Sequence, residues 1–504
     1  MKRVFSILFG LALVLALVMV PVQTALADYH TFDNANYYYC VIVNAPSGTT
    51  YSLASLSPDG TKIVARKAVG TSKEVALMNA DGTGEIVISP GDSGTGDINS
   101  YTGPFWSDDG TAIGFLEVHN ANPNKVVVYD IASATRSYIY QPTSPDDVAN
   151  CDFLGSSKTS IVFWDYGPVG GADLFTWDGT TRTNITNTPN HKEYEPVSNA
   201  DGTKIVYWSG ETATEPVATT HTLTYTGGAW VKDVGFTPIP GTYWATWTTT
   251  AATHIALSVM SQPDWSQPNY ATGTFDICIY DSAGNFVTDL TGSGYTGGNG
   301  QWNFFGVGPA QGPSGQFVIT SNAGRGGTPG RDIIMVSPRT MSVATSTGKG
   351  PASFSPDDGS IVHLEAMAPP ATPPVVLRYG MFNFTICCFT GSDVTLNITL
   401  PGSVPVGTKW YKYNGGAWDA LDIGSDDGDN FITVTLVDDN PIHDENPNPG
   451  QITDQAGPGF PGAVGWQTYP VSKARVLLPW VALLAGILAG GGLFVLRRRR
   501  AQSS

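Results

Sequence analysis

Residues 56–89 read LSPDGTKIVARKAVGTSKEVALMNADGTGEIVIS, and this stretch decides the fold. Ser57-Pro58-Asp59-Gly60 is a turn: proline presets φ, aspartate bonds its own backbone, and glycine accepts a positive φ. Ile63, Val64 and Ala65 follow as a short apolar strand. A polar connection leads to a second strand, Val75 to Met78. The run Asn79-Ala80-Asp81-Gly82-Thr83-Gly84 turns the chain again, and Ile86-Val87-Ile88 makes a third. Turn signals every few residues between short β runs mean antiparallel sheet.

One such sheet cannot bury both its faces, so the pattern must recur. It restarts at Phe105-Trp106-Ser107-Asp108-Asp109-Gly110, and in a degenerate copy from Phe153 to Thr186. A strong copy begins at Asn199-Ala200-Asp201-Gly202. Weaker ones hold His254 to Leu257 and Gln316 to Ile319. The last is Phe354-Ser355-Pro356-Asp357-Asp358-Gly359, followed by Ser360-Ile361-Val362. The starts lie roughly 45–60 residues apart, the period of propeller blades. The expected fold is all-β: a propeller of about seven blades over residues 28–380, with six as the alternative. Its SPDG turn, KIVF-like strand and MNADG turn resemble the TolB-type propeller repeat, which implies protein–protein interaction. In Tyr37 to Val43 (YYYCVIV) we expect a clasp that completes the last blade beside the strands of 353–380, because closure removes exposed sheet edges.

After the proline-rich run at residues 366–374 the character changes. Val394 to Leu400 alternates as a half-buried strand does. Asn414-Gly415-Gly416 is a hairpin signal, and Asp426-Asp427-Gly428-Asp429 precedes the strand Phe431 to Leu436. Leu400-Pro401, Val404-Pro405, Gly407, Trp410, Lys412-Tyr413 and Trp418 stand in the order of the choice-of-anchor modules, in particular the U type. The tail departs from that pattern at Asn446 to Asp454. The resemblance implies a small β-sandwich stalk, residues 381–463, next to a surface anchor.

The two ends carry their own signals. Residues 1–27 combine Lys2-Arg3, an apolar run and Ala25-Leu26-Ala27, the layout of a cleaved signal peptide. After a linker at 464–475, residues 476–496 hold no charge and are long enough to cross a bilayer as a helix. Arg497 to Arg500 keep the tail at 497–504 inside. The expectation is a type I single-pass protein at the cell surface, its domains outside. Processing at a C-terminal sorting signal near Pro479 is the alternative.

The formal charge is −17. Leaving out Lys2, Arg3, Lys473, Arg475 and Arg497 to Arg500, 18 basic residues face all 43 acidic ones. That surface repels phosphate backbones and argues against a nucleic-acid partner. The five cysteines (Cys40, Cys151, Cys278, Cys387, Cys388) contain no C-x-x-C and give no zinc motif. Cys278 reads as core, and the adjacent Cys387 and Cys388 are open to pairing. The odd count leaves one thiol over.

Catalytic motifs are weak. Gly91-Asp92-Ser93-Gly94 lacks a histidine context for a serine nucleophile, and Gly292-x-Gly294-x-x-Gly297 lacks the helix that would hold a pyrophosphate. No catalytic residue is assigned. The one named group is acidic: Asp426, Asp427, Asp429, Asp438, Asp439 and Asp444 offer the oxygens a structural Ca²⁺ takes, though a solvated acidic loop gives the same letters. Aromatics in the long insertions, Trp230, Trp265 and Tyr270, and Tyr243, Trp244 and Trp247 between them, either stack on a ligand or pack between blades. The functional expectation is a membrane-anchored binding module for a protein or a surface glycan. The rival is an extracellular carbohydrate-active enzyme, lyase-like, or a peptidase-associated propeller.

Overall fold

The computed structural model describes residues 37–460, except 90–97, 167–170, 189–190, 211–216, 248–253, 261–274, 291–302, 306–314, 322–331, 415 and 447–448. The expected signal sequence at 1–27, Trp265, Tyr270 and the apolar run at 476–496 therefore lie outside the described residues. Among those described, no helix is long and apolar enough to cross a membrane.

The chain is all-β. After β1 (Tyr37–Val43), β2 to β5 (Thr49–Leu56, Lys62–Val69, Ser72–Asn79, Ile86–Val87) form an antiparallel meander. A second follows in β6 to β9 (Ile98–Trp106, Ala112–His119, Lys125–Asp130, Thr135–Tyr140) and a third in β10 to β13 (Ala149–Phe153, Ile161–Tyr166, Ala172–Trp177, Arg182–Asn184). The fourth is β14 to β17 (Glu193–Ser198, Lys204–Ser209, Thr219–Thr226, Ala229–Lys232), with β18 (Ile239–Pro240) added beside β16. The fifth is β19 to β22 (Thr242–Trp247, His254–Met260, Phe275–Asp281, Phe286–Asp289). The sixth contains β23 to β25 (Asn303–Phe305, Phe317–Ser321, Asp332–Pro338). Each sheet packs on the next through its first strand, and β23, β24 and β25 return to β2, so the ring closes at six blades.

The turn chemistry behind this repeat is literal. Asp59 Oδ1 accepts from Thr61 N at 3.0 Å, Thr61 Oγ1 at 2.8 Å and Ser57 Oγ at 2.6 Å. Asp109 repeats the set with Thr111 N at 3.1 Å, Thr111 Oγ1 at 2.9 Å and Ser107 Oγ at 2.7 Å. These side chains satisfy the donors that a tight turn leaves over. Two tryptophans staple neighbouring blades: Trp106 Nε1 donates to Ser55 O at 3.0 Å, and Trp247 Nε1 to Val197 O at 3.2 Å. Both indoles are fully buried, so Trp247 is a packing residue.

The clasp exists, with a different partner from the expected one. β1 pairs antiparallel with β25, Tyr37 opposite Pro338 and Cys40 opposite Met335, as the outer strand of the sixth blade. It passes close to the turn after β4, where a side chain on Gly82, at φ +82°, would strike the Ile42 carbonyl. The expected seventh start at Phe354 is not a blade. β26 (Met341–Ala344), β27 (Pro351–Pro356), β30 (Asp393–Thr399) and β33 (Phe431–Val437) form one sheet. β28 (Ser360–Met367), β29 (Met381–Cys387), β34 (Gln451–Gly459), β31 (Lys409–Asn414) and β32 (Ala417–Asp422) form a second, in that spatial order. The two share one core that includes Phe354, Phe382, Phe384, Leu396, Trp410 and Val434.

The reason is the burial pattern. Middle strands of a blade lie between two other blades, and β8 and β12 carry unbroken buried runs. β27, β30 and β33 alternate buried and exposed positions instead, as strands with one solvated face do. The two-sheet unit thus begins near 341, not at 381.

The junction between ring and sandwich is built on β1. Cys40, Val318, Met335, Val362 and Cys387 share a buried cluster, and Gln316 Nε2 donates to Ile361 O at 3.0 Å. The sulfur of Cys40 contacts those of both Cys387 and Cys388, with Cα separations of 6.8 Å and 5.6 Å. One sulfur completes only one such bond, and either bond ties β1 to the end of β29. Cys151 and Cys278 are buried and lie outside this bridge.

Candidate functional site

The inner strands of five blades share a device. At Leu53, Gly103, Asn150, Glu195 and Trp244 the backbone turns to positive φ, and at each the pairing with the next strand slips. These are β-bulges, which re-aim a side chain out of the sheet. In the first four blades the bulge stands four residues before the position that opens the following turn, as Leu53 does before Ser57 and Glu195 before Asn199. Five equivalent positions on the strands nearest the axis therefore differ only in what they present.

What they present converges on one carboxylate. Asn150 Nδ2 donates to Glu195 Oε1 at 3.1 Å, Trp244 Nε1 to the same oxygen at 2.9 Å, and Trp208 Nε1 to Oε2 at 3.0 Å. Leu53, from the first blade, packs against the core between the fourth and fifth. The three donors come from blades three, four and five. Burial raises the Glu195 carboxyl, and the three donors pull it back, leaving it at about 7 against an ordinary 4.5. A carboxylate offers about four acceptor positions, so among the described residues this hub retains roughly one for an outside hydroxyl or amide.

An aromatic train runs past the hub at the end of the ring where the inner strands begin. Tyr166 meets Trp164 edge-on at 5.8 Å, Trp164 meets Tyr194 at 4.8 Å, and Tyr194 lies 4.6 Å from Trp208. Trp208 meets Tyr243 at 5.2 Å, and Tyr243 lies 5.7 Å from Trp244. Trp208 and Tyr243 are buried and act as backing. Trp164, Tyr194 and Trp244 are half-buried, and Tyr166 is 73% exposed. The indole nitrogen of Trp164 has no partner among the described residues. Trp230, by contrast, packs with Tyr225 on the outer hairpin of blade four.

A second polar group lies off the axis, on the second to fourth strands of blade two. Glu117, nearly fully buried, takes His119 Nε2 at 2.8 Å and Tyr138 OH at 3.1 Å, with Lys125 Nζ at 3.6 Å.

The six aspartates named from the sequence fall into two groups, at opposite ends of β33. Asp426 Oδ2 accepts from Gly407 N at 2.8 Å, Asp427 Oδ1 from Asp429 N at 3.1 Å, and Asp429 Oδ1 from Phe431 N at 2.6 Å. These carboxylates shape the β32–β33 loop. Asp438, Asp439 and Asp444 do converge, one oxygen from each lying within 4.8 Å of the others. Asp444 is engaged on both oxygens, by Asn446 N at 2.7 Å, Thr453 N at 2.9 Å and Asp439 N at 3.3 Å. Sequence reasoning singled out Tyr243 and Trp244 but missed Glu195, Trp164, Tyr166, Tyr194 and Trp208. Alignment of the blades on their turns exposes the signal: four residues before the turn, one blade carries an acid where the others carry Leu, Gly, Asn and Trp.

No family model matches the chain, and no curated protein matches it. Among solved structures, TolB from Acinetobacter baumannii is 13% identical with a TM-score of 0.35, over 57% of this chain and 63% of that one. An oligogalacturonate lyase in complex with manganese is 10% identical with a TM-score of 0.39, over 60% and 93%. The propeller domain of the trilobed protease from Pyrococcus furiosus, described as having an open velcro topology, is 11% identical with a TM-score of 0.34, over 70% and 94%. The chain thus spans less than two thirds of the TolB structure's length, and its likeness is to TolB-like and other β-propeller domains at low identity.

Proposed function

We propose that the chain is a cell-surface binding propeller, held at the membrane through residues 476–496, whose ligand is a surface glycan received on the aromatic train beside Glu195. The observation that carries this reading is the train itself. Aromatic faces pack on the apolar face of a sugar ring, and a partly free carboxylate hub beside them accepts from hydroxyls. The sandwich is the stalk between ring and membrane, and a Ca²⁺ at Asp438, Asp439 and Asp444 is a lesser proposal. The rival reading, a carbohydrate-active or peptidase-associated enzyme, has the Glu117–His119–Lys125–Tyr138 group in its favour. That group lies off the axis, and its members satisfy one another.

The test is binding of purified oligosaccharides to an immobilised ectodomain, with Tyr166→Ala, Tyr194→Ala and Glu117→Gln beside the wild type. The expected result is a tenfold or greater loss of affinity in the two tyrosine variants and none in Glu117→Gln. Undiminished binding by both tyrosine variants overturns the reading. Turnover of any bound glycan, lost in Glu117→Gln, moves the assignment to the rival.

A further inference from the structure

Lys412 and Asp454 face each other inside the sandwich, on the neighbouring strands β31 and β34. Lys412 is opposite Ala456 in the register. Asp454 stands two residues before Ala456, so it points to the same face of the sheet. Both side chains are 0% exposed, and Lys412 Nζ lies 3.0 Å from Asp454 Oδ1. Neither atom makes an aligned hydrogen bond. Among the described residues the other carboxyl oxygen, Oδ2, has one long contact, from Trp410 Nε1 at 3.4 Å. Trp410 is itself fully buried and stacks with Phe382, their ring centroids 6.5 Å apart.

A buried ion pair must recover the hydration both ions lose, and does so only with good geometry and further hydrogen bonds. This pair has a 3.0 Å separation but weak further support, Trp410 Nε1 at 3.4 Å and Glu445 Oε1 at 3.7 Å. The same features describe a reactive contact: an amine and a carboxyl held together, dry, among aromatic rings.

We propose that Lys412 and Asp454 condense to an intramolecular isopeptide bond between β31 and β34. Lys412 Nζ attacks Asp454 Cγ, the new N–C bond forms, and the Cγ–O bond to the departing oxygen breaks. The ammonium and carboxylate become an amide and one water, with no net change in protons or electrons, so no oxidant or co-reactant is needed. Dry surroundings favour the condensed side of that equilibrium. Trp410 Nε1 is placed to donate to the oxygen that gathers charge as the carbonyl is attacked. Glu445 Oε1 lies 3.7 Å from Nζ and is the carboxylate beside the amine that takes its proton on closer approach; that proton then leaves with the departing oxygen as water. Glu445 also lines a polar pocket of about 350 Å³ with Tyr413, Asn414 and Gln455, which gives the water an exit. Burial holds the Asp454 carboxyl up at about 6, which favours the protonated form that loses water. The bond joins the C-terminal strand of the sandwich to its neighbour by a covalent tie in addition to the ladder hydrogen bonds.

The test is mass spectrometry of the full-length chain after reduction and denaturation, followed by tryptic mapping. The wild type is expected to be lighter than its sequence mass by one water. It should also yield a branched peptide joining the Lys412 and Asp454 segments, with no cleavage after Lys412. Lys412→Arg and Asp454→Ala should each restore the full mass, and trypsin should then cut after position 412 in either variant. A wild-type chain of full mass, cleaved after Lys412, overturns the proposal and leaves an ordinary buried ion pair. The wild-type map decides the matter even where a variant fails to fold.

Discussion

Glu195, the hub of the proposed site, carries a cost in stability. Its carboxyl, raised to about 7 by burial, keeps its proton in the folded chain over a range where the unfolded chain has lost it. Below the ordinary 4.5 both states are protonated and the group is neutral to stability. Between there and about 7 the folded state binds more protons, so stability falls as pH rises. The melting temperature of the wild type should therefore drop from pH 5 to pH 8 by a few degrees more than that of Glu195→Gln, measured by scanning calorimetry. Equal slopes would mean the carboxyl ionises in the fold as it does in water. Trp106 gives a second residue-scale expectation. Replacing it with phenylalanine keeps most of the buried ring but leaves the Ser55 carbonyl without its donor. The loss should be about 1–3 kcal/mol, the penalty for an unpaired buried polar group, read from the urea midpoint of the unfolding transition.

At the scale of elements, β1 has two tasks. It supplies the outer edge of the sixth blade, and Cys40 on it reaches the end of β29. The Cα separation of 5.6 Å to Cys388 lies at the usual spacing of about 5.5–6 Å for a disulfide, whereas 6.8 Å to Cys387 lies at its outer limit. Alkylation of the unfolded, unreduced chain should therefore label Cys387 together with Cys151 and Cys278, and peptide mapping should join Cys40 to Cys388. A dominant Cys40–Cys387 peptide would reverse that assignment. Cys40→Ser should cost about 2–5 kcal/mol, as loss of a long-loop disulfide does, and should free the ring's closing strand and the sandwich from each other. The Tyr37 to Val43 strand was legible as a clasp from its unbroken β-forming run. Its partner was not, because β23 to β25 carry weaker turn signals than the Phe354 start that drew the expectation.

At the scale of the whole molecule, the proposed orientation places ring and sandwich outside the cell, with Arg497 to Arg500 inside. Protease added to intact cells should degrade the ring and spare only the tail. A ring protected in intact cells and digested after lysis would reject that orientation. The six-bladed ring and the sandwich meet at β1, β25 and β28, so a cut between β25 and β26 should leave them joined through the cysteine bridge until reductant is added.

Local chemistry by itself determined the strands and turns of this protein. Asp59 and Asp109 bond their own turns, glycine accepts the conformations the turns need, and short apolar runs between closely spaced turns become strands; each effect acts within a few residues. The half-buried alternation of Val394 to Leu400 also marked the sandwich. Only the tertiary structure decided what depends on several blades at once. Six sheets rather than seven close the ring, because β27 and β28 find partners in β30 and β29. The hub at Glu195 takes donors from three blades, up to 49 residues away from it in sequence. Lys412 and Asp454 meet because β34 lies beside β31. Such contacts follow from how sheets are ordered in space, which the alternation of apolar and polar residues along one strand does not encode.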